Sequence, residues 1–263
     1  MMKIAIVTGA SSGMGREFAE RVGNSEKLDE IWVIARRTER LEELKATIRI
    51  PVVPISLDLT DDADIEKYKR RLIDTNPDVR ILVNAAGYGR IGHAETITNF
   101  EQIGMIDLNA KALTEITLIT LLYMSEGAKI YQLASMSSFM PVPYLSVYAA
   151  TKAYVLSFSR SLNVELKSRG IRVMAVAPGW VRTEFINRAE DENGMVVYYD
   201  RFYNSSQVVD RALRDMKKGK DVSICGFATR MKIFGMKCMP HSVTMSIWCD
   251  QQRKKRKQKK NRN

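Results

Sequence analysis

Tyr148 and Lys152 stand four residues apart in Val147-Tyr148-Ala149-Ala150-Thr151-Lys152, and Ser135 lies thirteen residues before the tyrosine. At the start of a helix, positions i and i+4 share one face, which brings the lysine ammonium beside the phenol. A free phenol titrates near ~10, and a neighbouring cation lowers that by about 1–3. Tyr148 is thereby expected to move towards the range in which a general acid or base works near neutral pH. A lone Tyr-x-x-x-Lys also occurs in helices with no such role, so the reading depends on what surrounds it.

The chain begins with an apolar run, Lys3-Ile4-Ala5-Ile6-Val7, that passes directly into Thr8-Gly9-Ala10-Ser11-Ser12-Gly13-Met14-Gly15-Arg16-Glu17. This reads as a buried strand, a glycine-rich turn and a helix start, the usual form of a nucleotide phosphate site. Gly9 permits the tight turn, Gly13 lets the backbone approach a pyrophosphate, and Gly15 lets the helix pack closely on the strand. The helix N-terminus then presents N–H donors and the positive end of its dipole to the phosphates.

The elements that would position these groups alternate along the chain. Strands are expected near 3–8, 30–35, 52–56, 80–84, 128–134, 171–177 and 222–225, with helices between them. The clearest helix spans 146–169 and ends at Gly170, where glycine suits a left-handed cap. Pro141 and Pro143 keep the segment after Ser135 in loop. Such alternation predicts a parallel sheet covered on both faces: an α/β, single-domain Rossmann fold with a doubly wound sheet of about seven strands. Asn84, Ser135 and Pro178 then fall at the carboxyl ends of strands, where open α/β sheets bind ligands.

Thr8-Gly9-x-x-x-Gly13-x-Gly15, Asn84-Ala85-Ala86-Gly87, Asn109, Ser135, Tyr148-x-x-x-Lys152 and Pro178-Gly179 together resemble, in order and spacing, the motifs of the short-chain dehydrogenase/reductase family. The resemblance covers roughly residues 3–225. It implies an oxidoreductase in which Tyr148 is the acid in reduction and the base in oxidation. It also implies that Ser135 binds the same substrate oxygen, that Lys152 holds the nicotinamide ribose while depressing the tyrosine, and that Asn109 supports a water leading from the lysine to solvent. Cofactor contacts are implied at Gly9, Ser11, Ser12, Gly13, Met14 and Gly15, at Asp58 and Leu59, and at Asn84, Ala85 and Gly87. Further contacts are implied at Tyr148, Lys152, Pro178, Gly179, Val181 and Thr183. A homodimer through the helices near 108–125 and 146–169 follows from the resemblance alone.

The second strand bears on the cofactor. An acidic residue about 20 positions after the glycine loop holds the ribose 2′-hydroxyl of NAD, whereas arginine there suits the 2′-phosphate of NADP. The chain has Ile34-Ala35-Arg36-Arg37 at that place, so Arg36 and Arg37 favour NADP(H) over NAD(H). The alternative is an arginine pair on a surface turn, with Thr38 capping a helix over 39–48. Asp58 could equally belong to a helix cap near Thr60-Asp61.

Tyr88, Phe139, Met140, Val142, Tyr144, Trp180 and Phe185 are the residues expected to face a substrate, and their apolar character suggests a hydrophobic ketone or alcohol. The segment 184–206 lies where the family it resembles carries a mobile substrate loop, and its low apolar content fits a lid, although an ordinary exposed loop reads the same way. Ser135-Met136-Ser137-Ser138 departs from the family's usual small residues at this point, so no substrate is transferred by analogy. A 3-oxoacyl or fatty acyl reductase remains as the alternative within the enzyme class. A non-catalytic dinucleotide sensor is the alternative outside it.

Length and composition fit one catalytic domain over 1–229 followed by a basic amphipathic extension over 230–263. The 263 residues are 45% hydrophobic and carry 41 Lys or Arg against 30 Asp or Glu, net +11. Residues 230–263 hold eleven of those basic residues and one Asp, net +10, which leaves net +1 for the remainder. Three readings of the extension stay open: a segment packed on the body or the substrate mouth, a membrane-surface device, and a binder of acidic protein or nucleic acid, with nucleic acid least favoured. Cys225, Cys238 and Cys249 form no Cys-x-x-Cys pair, and neither His93 nor His241 has metal-ligand spacing, so reduced thiols and no metal are expected. The first strand begins at Lys3 and no apolar run approaches the roughly 18 residues of a membrane span. A cytoplasmic protein, at most peripheral to a membrane, is therefore expected.

Overall fold

The computed structural model describes residues 1–189 and 199–260, with side chains left aside at 187, 188 and 255–260. Seven strands form one parallel sheet: β1 (Lys3–Thr8), β2 (Glu30–Ala35), β3 (Val52–Ser56), β4 (Asp78–Asn84), β5 (Lys129–Leu133), β6 (Arg172–Val176) and β9 (Val222–Ser223). Their order is β3-β2-β1-β4-β5-β6-β9. The chain first moves outward through β2 and β3, then returns to the far side of β1. The switch point therefore lies between β1 and β4, the place where doubly wound sheets bind ligands.

Both faces of the sheet are buried, which explains why its strands are continuous apolar runs rather than alternating ones. Ala5, Val7, Val33 and Val83 face one side, against Phe18 and Val22 of α1 (Gly13–Ser25) and Val208 and Val209 of α8 (Ser205–Lys217). Ile4, Ile6, Trp32 and Leu82 face the other, against Tyr68 and Leu72 of α3 (Asp62–Thr75), Ile116 of α5 (Leu113–Leu121) and Leu162 of α6 (Ser146–Glu165). Gly170 closes α6 and its 3-10 end at φ +66°, as the sequence indicates.

Several details depart from the sequence reading. The helix expected near 108–125 is two pieces, a π-helical turn over Asp107–Ala112 followed by α5, and α4 (Asn99–Ile106) precedes them. The helix after β2 is the short α2 (Thr38–Glu42) with a 3-10 continuation to Ala46, and Thr38 lies inside its first turn, so it is not the cap. Asp61, rather than Asp58, caps α3, accepting from Ala63 N at 2.8 Å. A second, two-stranded sheet pairs β7 (Trp180–Val181) with β8 (Phe202–Tyr203), and α7 (Glu184–Ala189) follows β7. Residues 190–198 of the expected lid lie outside the described residues. The chain continues into α9 (Phe227–Cys238) and α10 (His241–Lys260).

Candidate active site

A cavity of about 1270 Å³ runs along the carboxyl ends of the strands. It exceeds the roughly 300–1,000 Å³ of a site for one drug-sized ligand, which leaves room for a dinucleotide and a second molecule. At one end lie Gly9, Ser11, Ser12, Gly13, Met14 and Gly15. Gly9 has φ +67°, and a Cβ there would come within 2.6 Å of Ala86 N. The loops after β1 and β4 thus touch at the switch point, and only glycine allows it. Thr8 fixes the same junction, since its Oγ1 accepts from Ala85 N and Ala86 N, each at 3.2 Å. A Cβ at Gly15 would meet Gly9 O, so α1 packs tightly on the turn. Ser12, the N-cap of α1, makes no side-chain capping bond. The first N–H groups of α1 thus remain for an anion in the cavity, and this donor set fits a dinucleotide pyrophosphate.

Arg36, Arg37, Asp58 and Leu59 line the adjoining wall. The Arg37 guanidinium donates to Ser11 Oγ at 3.1 and 3.3 Å and to Glu184 at 2.9 Å, and Arg40 reaches the same carboxylate at 3.0 Å. Arg36 is largely exposed and lies 3.4 Å from Asp58. Two guanidiniums therefore meet at the end of β2, each facing a carboxylate from another element. Burial tends to raise the Asp58 carboxyl, but its hydrogen bonds from Thr60 and the Arg36 charge outweigh that and hold it below the ordinary range.

Tyr148, Lys152 and Ser135 converge midway along the cavity. Ser135 ends the loop after β5, in extended backbone, as N-cap of a 3-10 turn over Met136–Phe139, and its Oγ accepts from Ser137 N at 3.2 Å. Ser138 Oγ locks this turn to α6 by donating to Lys152 O at 2.7 Å. The Tyr148 phenol lies close enough to Ser135 for that residue to favour its ionised form, and its ring packs against Phe185 at 5.4 Å between centroids. Gly89 leaves space for that ring, since a Cβ there would lie 2.9 Å from Tyr148 Cδ2.

The electrostatics differ from the sequence expectation. Burial deep in the cavity pushes the Tyr148 phenol up to about 12, with Ser135 acting the other way. Burial pushes Lys152 down to about 8. The ammonium lies 5.7 Å from the centre of the tyrosine ring and donates to Leu133 O at 2.7 Å, not to the phenol. Desolvation outweighs the cation at this spacing because both groups lie deep in the protein, where each favours its neutral form.

Asn109 and Asn84 both sit beneath the cavity floor. Asn109, fully buried in the π-helical turn, accepts from Tyr88 N at 3.0 Å and donates to Tyr88 O at 2.8 Å and Thr151 Oγ1 at 3.1 Å. A Cβ at Gly87 would crowd Asn109 Oδ1 at 2.8 Å and come into ordinary contact with Lys152 Nζ at 3.5 Å. Asn109 thus ties the loop after β4 to α6, next to the lysine. The amide of Asn84 points away from the cavity, donating to Thr117 Oγ1 at 2.9 Å and Gln132 Oε1 at 3.0 Å. Its side chain belongs to a buried network between β4, β5 and α5, and Asn84 is not among the residues that line the cavity. Ala85 and Gly87 do line the cavity, as do Pro178, Gly179, Val181 and Thr183.

Of the residues expected to face substrate, Tyr88, Met140, Val142, Trp180 and Phe185 line the cavity. Phe139 and Tyr144 do not: Phe139 packs with Ala134 and Val155 beneath Lys237, and Tyr144 sits edge-on to His93. The sequence reading left open that the last segment packs on the substrate mouth, without assigning any of its residues to the cavity. Met231 and Met236 of α9 and Thr244, Ile247, Trp248 and Gln251 of α10 cover the end beyond Tyr148. Trp248 is buried among Ile91, Val142, Leu145 and Ala149, and its indole N–H donates to Pro143 O at 3.0 Å. The available signal was the i, i+4, i+8 series Thr244, Trp248, Gln252, whose side chains are all buried.

Comparison with known proteins agrees with this architecture. The sequence profile described as short chain dehydrogenase matches residues 3–194. An uncharacterized oxidoreductase of Staphylococcus epidermidis is 35% identical over 184 residues, 69% of this chain and 79% of that protein. Sulfoacetaldehyde reductase 2 of Chromohalobacter salexigens is 36% identical over 194 residues, 70% of this chain and 75% of the other. Among solved structures, a short-chain dehydrogenase from Sphingobium yanoikuyae in complex with NADPH superposes with TM-score 0.76 at 31% identity, covering 89% of this chain and 92% of that one.

Proposed function

The chain belongs to the short-chain dehydrogenase family, and on that premise we propose that this oxidoreductase is an NADP(H)-linked carbonyl reductase for a hydrophobic ketone or aldehyde. The observation that carries the reading is the meeting of Ser135, Tyr148 and Lys152 on one cavity whose other end is the glycine-rich loop and Arg37. When bound, a reduced nicotinamide supplies hydride to the carbonyl carbon. The Ser135 hydroxyl and the Tyr148 phenol both line the cavity, so a carbonyl oxygen placed between them takes both donors, which fixes its position and stabilises the charge that grows on it. Tyr148 then passes its proton to that oxygen. Because burial holds the phenol near about 12, it is fully protonated at neutral pH and ready to act as the acid. Lys152 would hold the nicotinamide ribose, and its charge would stabilise the phenolate left behind.

NADP(H) is favoured over NAD(H) because the end of β2 offers Arg36 and Arg37, and Ser11 holds the Arg37 guanidinium against the glycine-rich loop at 3.1 Å. A dianionic 2′-phosphate would replace Glu184 and Asp58 as partner of these guanidiniums. Exposed Leu118 and Leu122 at α5, with Tyr154 and Val164 on α6, would supply the apolar faces for a homodimer.

The test is consumption of NADPH and, in parallel, NADH across aryl and alkyl ketones, aldehydes and 3-oxoacyl thioesters. We expect turnover of hydrophobic carbonyls with NADPH preferred. Tight NADPH binding with no turnover across the panel would replace the enzyme reading with that of a dinucleotide sensor.

A further inference from the structure

The last two helices cover the far end of the cavity with one face and leave another face to solvent. On α9, Thr229, Ile233 and Met236 point inward, whereas Phe227, Met231 and Phe234 are 71%, 50% and 63% exposed. These three recur at i, i+4 and i+7, so they form one outward stripe. On α10, Thr244, Trp248 and Gln252 are buried, and Val243 and Ile247, again four apart, are 43% and 44% exposed. Met231 and Ile247 line the cavity as well as the surface, as does Met239 in the turn between the helices. The two stripes therefore meet at the lip of the cavity.

This apolar lip lies inside a cationic frame. Arg230 lies over the Phe227 ring at 5.9 Å, Lys237 is exposed, and α10 continues to Lys260 through Arg253 and Lys254. Residues 253–262 carry eight Lys or Arg and no acidic residue. Large exposed apolar residues bordered by charge mark an interaction site rather than ordinary surface, and the occupant must accept both features. A second copy of this chain would bring the same positive charge to the contact and repel it. A nucleic acid backbone matches the charge but leaves the two phenylalanines, Val243 and Ile247 without a partner. An anionic lipid surface takes the apolar side chains into its acyl boundary and the cations at its headgroups. No helix among the described residues is long and apolar enough to cross a membrane, which leaves the interfacial arrangement.

We propose that the outer face of α9 and α10 docks on an anionic membrane surface, with the mouth of the cavity held against the bilayer. The docking itself is independent of the catalytic reading. Only its corollary rests on that reading: an apolar carbonyl compound dissolved in lipid passes the Met231, Met239 and Ile247 lip directly into the cavity, without crossing water.

Sedimentation of the full-length protein with vesicles tests this, using phosphatidylcholine alone and phosphatidylcholine with about 30% phosphatidylserine. Binding to the anionic vesicles is expected at low salt and should weaken as salt screens the contact. The variant F227S/F234S, which changes two exposed residues outside the cavity lining, should bind at least about tenfold more weakly, because burial of apolar area is lost. Gln252 is fully buried and Gln251 lines the cavity, so the charges are neutralised by substitution rather than by cutting the chain. R253Q/K254Q/K255Q/R256Q should lose the preference for anionic over neutral vesicles. Failure of the full-length protein to bind anionic vesicles at low salt, or unchanged binding by F227S/F234S, would overturn the proposal. Lipid-free self-association abolished by F227S/F234S would also overturn it, assigning the face to a second copy, and salt-sensitive binding to duplex DNA in place of vesicles would assign the cations to nucleic acid. The corollary is read separately, by comparing turnover of a long-chain ketone carried in the vesicles with that of a small soluble ketone. Absence of turnover with either would count against the catalytic reading and leave the vesicle result standing.

Discussion

Lys152→Met separates the stability of the fold from the chemistry of the site. Lys152 is 5% exposed, and burial lowers its pKa from 10.5 to about 8. The folded state therefore binds this proton less well than the unfolded chain, at a cost of about 3 kcal/mol wherever both states are protonated. The sign follows from the depressed value: the cost is complete below about 8, shrinks as pH rises, and is gone above the unfolded value of 10.5. Methionine removes the charge at similar length, but it also removes the hydrogen bond to Leu133 O at 2.7 Å, worth about 1–3 kcal/mol for a buried acceptor left alone. The net expectation is a cofactor-free protein stabilised by about 0–2 kcal/mol at pH 7, with the gain fading towards about pH 10. Over this pH range the Tyr148 phenol, held up to about 12 by burial, is neutral in both folded proteins, so its titration cancels in the difference. Urea unfolding of both proteins at several pH values measures this, and carbonyl reduction by the same variant should fall by at least about 10²-fold. A variant less stable than the parent at pH 7, or a difference that does not change with pH, would refute the assignment of a strained buried ammonium.

Other substitutions address the remaining parts of the site. Tyr148→Phe keeps the ring against Phe185 and removes the proton donor, so NADPH binding by fluorescence should persist while turnover drops about 10²–10⁴-fold; turnover within about twofold of the parent would remove Tyr148 from the chemistry. Arg36→Asp combined with Arg37→Ser should raise KM for NADPH and narrow or reverse its preference over NADH, since a carboxylate repels the 2′-phosphate and can accept from a free 2′-hydroxyl; an unchanged ratio of kcat/KM values would show that neither arginine reads the ribose. Trp248→Ala opens the cavity end and deletes the bond to Pro143 O. It should cost up to about 3–5 kcal/mol by urea unfolding and shift kcat/KM towards bulkier ketones, whereas an unaltered substrate profile would place α10 outside the substrate region.

The strand positions were legible because a sheet covered on both faces needs uninterrupted apolar runs, and those stand out in the sequence at β1, β2, β4 and β6. The glycine-rich turn was legible because positive φ at Gly9 and the close approach of Ala86 leave few residue types that fit. The π-helical turn at Asp107–Ala112 was not, since a one-residue change in backbone pairing leaves the apolar pattern of a helix almost intact. Nor could strand periodicity tell that the Asn84 amide turns to Thr117 and Gln132, because the inside of a sheet and the floor of a cavity lie one residue apart at a strand end.

The tyrosine and lysine illustrate where local spacing stops being informative. Four residues on a helix fix that the two side chains share a face, and the 5.7 Å between the ammonium and the ring is what that spacing delivers. Whether the cation lowers the phenol depends on how much water both groups have lost, and that is set by Val142 and the loop carrying Ser135 together with Phe185 and Trp248, the last two from distant parts of the chain. In the cofactor-free protein desolvation wins, leaving a neutral acid beside an ammonium that titrates near about 8. A carbonyl reductase needs that protonation state at the start of reduction: a phenol that still holds its proton, and a cation close enough to stabilise the phenolate only once the proton has gone. The kcat/KM for NADPH, which reports the free enzyme, should accordingly fall as pH rises through about 8 and Lys152 deprotonates, and a kcat/KM independent of pH from about 7 to about 10 would mean that the ammonium plays no part.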